Sequence, residues 1–145
     1  MKADVQTEAE IKALVEGVWW KEYARKDVEA CMSVWTSDPD VVAIGTGADE
    51  LRLGPEGLRR GLRRDFGQAE NVKITTEWLR ISAAGNVAWS AANIQFTATV
   101  SGETVTLACR LTNVYEKRNG TWRIMQLHLS LPEAEQESGH SWPKP

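Results

Sequence analysis

Four long segments with β patterning, "VKITTEWLRIS", "VAWSAANIQFTATV", "ETVTLACRLTNVYEK" and "TWRIMQLHLSL", fill the chain from Val72 to Leu131 and are separated only by "AAGN", "SG" and "RNG". Connections this tight join antiparallel neighbours, so the second half of the chain is expected to be an antiparallel meander. The first half has a different period. Ile11, Leu14, Val15, Val18 and Trp19, with Tyr23 one turn on, recur at helical spacing and predict an amphipathic helix over about 7–25, with Trp20 beside its stripe.

Asp27 can cap a second helix whose inner face carries Val28, Cys31, Met32 and Trp35, and "TSDPD" ends it because a residue before proline disfavours the helical region. A short strand, "VVAIG", follows. "GTGADELRLGPEG" reads as a loop, with Pro55 near the first turn of a third helix that runs to about Phe66. Helices gathered before a meander make the fold α+β, with the helices on one sheet face.

The bulk properties set limits on function. A length of 145 residues, 42% hydrophobic and 26% charged, suits one domain with a real core. Seventeen Lys+Arg against twenty Asp+Glu are too balanced to drive nucleic-acid or membrane binding through a whole-surface field. No apolar run approaches the roughly 20 residues of a spanning helix, and "MKADVQTEAEIKALVEG" lacks a signal-peptide core, so the expected compartment is the cytoplasm. Cys31 and Cys109 belong to no CxxC or Cys/His cluster and read as small buried apolar residues, which leaves no expected metal site. The loop glycines form neither GxGxxG nor a Walker A pattern, and no cofactor is expected. Arg59 with Arg63 and Arg60 with Arg64 make basic pairs on the third helix, read as a solvated face balanced by Glu56 and Asp65, or as an anion-binding lip over a pocket.

The last hairpin decides which residues face inward. A two-residue Asn-Gly turn would place Arg118 opposite Thr121 and carry Arg110 onto the apolar face with Met125, Leu127 and Leu129. Burying an unpaired arginine costs far more than a less favoured turn. A three-residue loop, Arg118-Asn119-Gly120 with Gly120 left-handed, is therefore expected. It places Val105, Leu107, Cys109, Leu111 and Tyr115 on the inner face with Met125, Leu127, Leu129 and Leu131. Arg110 and Thr112 then share the outer face with Trp122, Ile124, Gln126, His128 and Ser130. That face is too rich for water, and a sheet-to-sheet homodimer contact through Arg110, Thr112, Trp122, Gln126, His128 and Ser130 is its expected use.

The order of elements, with "GTGADE", a basic helix, "GNVAW", "RLTNVYEKRNGTWRI" and "QLHLSLP", resembles the SnoaL-like branch of the NTF2-like superfamily over almost the whole chain to Pro132. The resemblance implies a cone: a curved antiparallel sheet wrapped around three N-terminal helices, with a helix-lined pocket and dimers that meet through their sheets. It makes 1–132 one domain and leaves 133–145 as a mobile polar tail. The superfamily includes ketosteroid isomerases, polyketide cyclases, dehydratases and kinase association domains, so fold does not fix activity. The isomerase groups would fall near Trp20, near Ile44 or Gly45, and near Thr112, and none supplies the tyrosine or acids required; ketosteroid isomerase is itself a worked case of that chemistry. The pocket arginines of kinase association domains fall at Asn113 and Leu129.

No catalytic residue is assigned, since His128 has no acidic partner at fixed spacing and faces away from the helices. Trp20, Tyr23, Trp35, Asn113, Tyr115 and Met125 are placed around a mainly apolar pocket, with Asn113 its polar anchor. The leading expectation is a small-molecule-binding module. An enzyme of polyketide cyclase, isomerase or hydrolase type is the alternative, and a dimerisation or association module the second alternative.

Overall fold

The computed structural model describes all residues, 1–145. Its first helix, α1 (5–24), begins where the Asp4 carboxylate accepts the Thr7 amide at 2.7 Å, satisfying an amide that the helix leaves free. Within it Ala13–Trp19 widens to a π segment, in which the Trp20 amide donates to the Val15 carbonyl. The wide turn carries the buried stripe from Ile11 and Val15 onto both Trp19 and Trp20, and Val18, expected on that stripe, is left 37% exposed.

Asp27 caps α2 (Val28–Met32) by accepting the Ala30 amide. β1 (Val42–Ile44) and β2 (Leu51–Leu53) form a short hairpin, and α3 (Gly54–Gln68) follows with Pro55 in its first turn. β2 was expected as loop. The long strands are β3 (Glu70–Ala84), β4 (Val87–Val100), β5 (Glu103–Arg118) and β6 (Thr121–Ser130), and the six make one curved, open sheet in the order β2-β1-β6-β5-β4-β3. The meander is antiparallel as expected, but β1 joins β6 in parallel, Val42 beside Gln126 and Ile44 beside His128. The resulting α+β cone has its core between the three helices and the concave sheet face, where Ile11, Ile94, Leu111, Tyr115 and Ile124 are buried. Residues 133–145 contain no helix or strand and are exposed.

The β5–β6 turn corrects the register argument. Asn119 and Gly120 both have positive φ, 50° and 77°, and Arg118 pairs with Thr121, so this is the two-residue turn whose twist suits a hairpin. Arg110 nevertheless stays outside, opposite Ser130, because a β-bulge between the Val114–Gln126 and Tyr115–Ile124 pairs absorbs one residue, Met125. The electrostatic premise was sound, and the bulge satisfies it by another route. The cost falls on Trp122 and Ile124, which lie before the bulge and therefore point inward, 5% and 0% exposed, and not onto the outer face.

Trp122 packs against α1, where its indole and the Lys117 ammonium both reach Glu10 Oε2 at 2.8 Å. The hydrogen bond from Lys117, followed by those from Gln6 and Trp122, pulls the Glu10 carboxyl down from 4.5 to about 2. A depressed carboxylate stabilises the fold above its unfolded value, so this tie between α1 and the hairpin weakens only as pH falls from about 4.5 toward 2.

A methyl group on Gly120 would meet nothing within 4 Å, so Gly120→Ala tests backbone conformation alone. The left-handed penalty is about 1–2 kcal/mol, and denaturant unfolding should show a lower midpoint with an unchanged slope.

Candidate functional site

The three helices do not fill the concavity of the sheet. A cavity of about 290 Å³ remains between Trp19, Trp20 and Tyr23 of α1, Trp35 just after α2, Leu58 and Leu62 of α3, and Phe96, Leu107, Cys109, Leu111, Leu127 and Leu129 of the sheet. The volume lies at the small end of the range for ligand pockets, roughly 300–1,000 Å³. Aromatic contacts stiffen the wall: Trp19 meets Trp35 edge-on at 5.8 Å, and Tyr23 meets Phe66 at 5.0 Å.

One side of the cavity is ionic. β2 turns its arginine inward and its leucines outward, so Arg52 reaches Asp65 of α3 in a two-pronged pair at 2.9 and 2.7 Å, while Leu51 and Leu53 are each 59% exposed. Asp65 Oδ2 also accepts the Tyr23 hydroxyl at 3.0 Å. Burial, reinforced by the charge of Asp65, raises the Tyr23 pKa, which keeps the hydroxyl protonated as a donor. Glu50 accepts the Gly47 amide and Arg64, at 2.9 and 3.0 Å. Burial opposes its charge, yet the Gly47 amide, Arg52 and Arg64 hold its pKa below the ordinary value. Every carboxylate on this wall is engaged. Cys109, the only thiol on the wall, has its pKa raised by burial and is held from ionising.

Of the residues expected around the pocket, Trp20, Tyr23 and Trp35 line it. Asn113, Tyr115 and Met125 do not. Asn113 and Tyr115 are buried farther along β5 in a closed polar cluster, where the Tyr115 hydroxyl lies 2.8 Å from Ser90 Oγ and accepts Asn113 Nδ2 at 2.9 Å. Asn113 is thus a partner for Tyr115 and not an anchor in the cavity. Met125 is displaced because it sits at the bulge, partly exposed. On the opposite face, register places Arg110, Thr112, Gln126, His128 and Ser130 together as expected, and Trp122 is absent from it.

Two of the four arginines of the basic helix are ion-paired, and Arg60 and Arg63 are exposed without a partner. Arg59 pairs with Glu29 and Glu56, and Arg64 with Asp49 and Glu50. The wall residues that the sequence did not place at the pocket are Arg52 and Asp65, the latter read only as balancing a solvated basic face. Asp65 lies seven residues after Leu58 and three after Leu62, which places a carboxylate on the apolar stripe of α3. "LRL" alternates, which is the mark of a strand with arginine on its inner side.

A cone of this topology with a pocket inside defines a member of the NTF2-like class of folds. The SnoaL-like domain family model matches residues 11–134, and the chain belongs to that family. No curated protein matches it in sequence. Among solved structures it is similar to an NTF2-like superfamily protein from Salmonella enterica, with 20% identity, 97% of this chain and 100% of that one covered, and a TM-score of 0.85. It is also similar to a ketosteroid isomerase-like protein from Erwinia carotovora, with 18% identity, 86% and 95% covered, and a TM-score of 0.72. A Xanthomonas campestris protein, provisionally described as a calcium/calmodulin dependent protein kinase II association domain, shares 25% identity over 92% of this chain and 96% of that one, with a TM-score of 0.77.

Two glycines of α3 test the ionic wall. A methyl group on Gly61 would stand 2.2 Å from Arg52 Nε, whereas one on Gly67 meets nothing within 4 Å. Alanine is favoured over glycine in a helix by roughly 0.5–1 kcal/mol, so Gly67→Ala should stabilise the protein by up to that amount. Gly61→Ala should destabilise it by about 1–3 kcal/mol despite the same propensity gain, because Arg52 is pushed off a half-buried carboxylate. Thermal or denaturant unfolding of both variants gives the signs.

Proposed function

We propose that this protein binds a small, mainly apolar molecule in the cavity of the cone. The observation that carries the reading is the pairing of an aromatic and aliphatic wall with an ionic wall whose groups already satisfy one another. A carboxylate held by Arg52 and Tyr23 is poorly placed to abstract a proton, and His128, the candidate base of β6, is exposed on the outer face. This favours binding over base catalysis. Val105 lines the cavity while 36% exposed, which places it at the opening. Val105→Trp should therefore block entry with little loss of stability, reducing affinity for naphthalene, measured by calorimetry, about tenfold or more; unchanged affinity in a folded variant would count against this cavity.

A second reading concerns assembly, and the apolar character of the outer face supports it. Register aligns Leu53, Val42, Gln126, Val114 and Trp89 in one row and Leu51, Ile44, His128, Thr112 and Ala91 in the next. Trp78 and Trp89 are 46% and 40% exposed. We infer a homodimer through this face, with Arg110, Thr112, Gln126, His128 and Ser130 at its polar part. Sedimentation at micromolar concentration should give a dimer, and Arg110→Glu should weaken it because two-fold symmetry introduces the change twice. A monomeric wild-type protein would remove this reading.

A further inference from the structure

β5 is longer than the strand beside it. β6 pairs with β5 from Arg118 to Arg110 and ends at Ser130, so the stretch from Glu103 to Cys109 has β4 on one side and no strand on the other. The Lys117 amide donates to the Asn86 carbonyl on the β4 side, and the β4–β5 register runs unbroken from there to Glu103. Backbone groups alternate in direction along such a ladder, so those of Val105, Leu107 and Cys109 point to β4 and those of Thr104, Thr106 and Ala108 point away from it. None of these last three residues has a backbone hydrogen bond outside the β ladders, and all are exposed.

A row of unpaired amides and carbonyls is a template for another strand, and folded proteins guard such edges with charge, proline, bulges or brevity. The two outer edges of this sheet are guarded. β2 has three residues, while β3 carries Glu70, Lys73, Glu77 and Arg80, is broken by two register shifts, and has Met1 and Ala3 bonded to its far end. The open stretch of β5, "ETVTLAC", has none of these devices beyond Glu103 at its tip. Its inward side chains Val105 and Leu107 line the cavity and are 36% and 37% exposed.

We propose that this edge pairs with the same edge of a second copy of the chain, antiparallel about a two-fold axis at Thr106. The stretch is complementary to itself in that register. Thr106 meets its own counterpart and Thr104 meets the counterpart of Ala108, so every free backbone group of the edge is used. Centring the axis on Val105 would set Ala108 against the turn at Gly102, and centring it on Leu107 would set Thr104 against Arg110, which β6 already holds. On the inner side Val105 meets the counterpart of Leu107, and Glu103 falls opposite the counterpart of Cys109, so apolar groups meet and like charges do not. Since Val105 and Leu107 belong to the cavity wall, each copy completes the mouth of the other's cavity. The contact uses none of the outer-face residues and is independent of the dimer inferred above.

Amide hydrogen exchange of the full chain at near-millimolar concentration, read by NMR, tests the pairing locally. Thr106→Lys puts like charges together at the axis on an exposed position, and Thr106→Pro removes a donor that the protomer does not use. The Thr104 and Ala108 amides are expected to exchange about tenfold or more slowly in the wild-type protein than in either variant. A face-to-face dimer leaves these amides open, so it cannot produce the difference. Equally fast exchange in all three proteins would overturn the proposal. Equally slow exchange in the wild-type protein and Thr106→Lys would also overturn it, and would assign the edge to residues 133–145 of the same chain.

Discussion

The structure depends on covering one apolar face of a sheet that is larger than its helices. β4, β5 and β6 direct Ile94, Leu111, Tyr115, Ile124 and Leu127 to the concave side, and water must be kept from them. α1 covers part of that face through Ile11 and Val15, and α3 covers another part through Leu58, Leu62 and Phe66. Between the helices the sheet stays uncovered by backbone, and the tryptophans Trp19, Trp20 and Trp35 surround the space without filling it. The cavity is thus a consequence of curvature and of how few helical turns precede the sheet. Its apolar wall follows directly from the strand alternation that builds the core.

The ionic wall fixes the helices relative to the hairpin. Arg52 from β2, Asp65 from the α3 that directly follows it and Tyr23 from the earlier α1 meet at one carboxylate, so the first helix is tied to the β2–α3 unit at one point. Such a pair adds little net stability by itself, since desolvation offsets much of its attraction, but separating the partners is costly. Gly61 allows α3 to close over β2: a methyl group there would overlap the guanidinium, whereas one on Gly57 would make an ordinary contact, 3.4 Å from the Arg52 backbone. The result is a rigid, internally neutralised wall, a better boundary for a neutral ligand than a source of a free base.

The sequence made the fold legible because strand alternation, tight turns and caps such as Asp27 are local signals. The family model and the solved relatives agree with the α+β cone expected from the element order. Face assignment was harder. The outer position of Arg110 followed from the cost of burying it, but the bulge at Met125 has no local mark, and a register argument that assumes an uninterrupted ladder sends Trp122 to the wrong side. The π segment of α1 likewise shifts the stripe from Val18 to Trp20, which a 3.6-residue period cannot anticipate. Asn113 lay on the correct face but too far along β5, since periodicity gives the side of a strand and not the depth of the cavity. Asp65 was readable as a charge on an apolar stripe, whereas its partner Arg52 required recognising a strand of three residues inside a glycine-rich loop.

Likeness to an isomerase-like protein shows the fold alone and leaves the chemistry to the site. The central claim is that the cone cavity, and not the apolar outer face, receives a small apolar molecule. Methyl-resolved NMR during a naphthalene titration tests this most directly, because leucine and valine methyl groups mark both surfaces. The account predicts saturable shifts centred on Leu58, Leu62, Leu111 and Leu127, which line the cavity. Shifts confined to Leu51, Leu53 and Val114 on the outer face, with the cavity methyl groups unmoved, would contradict it.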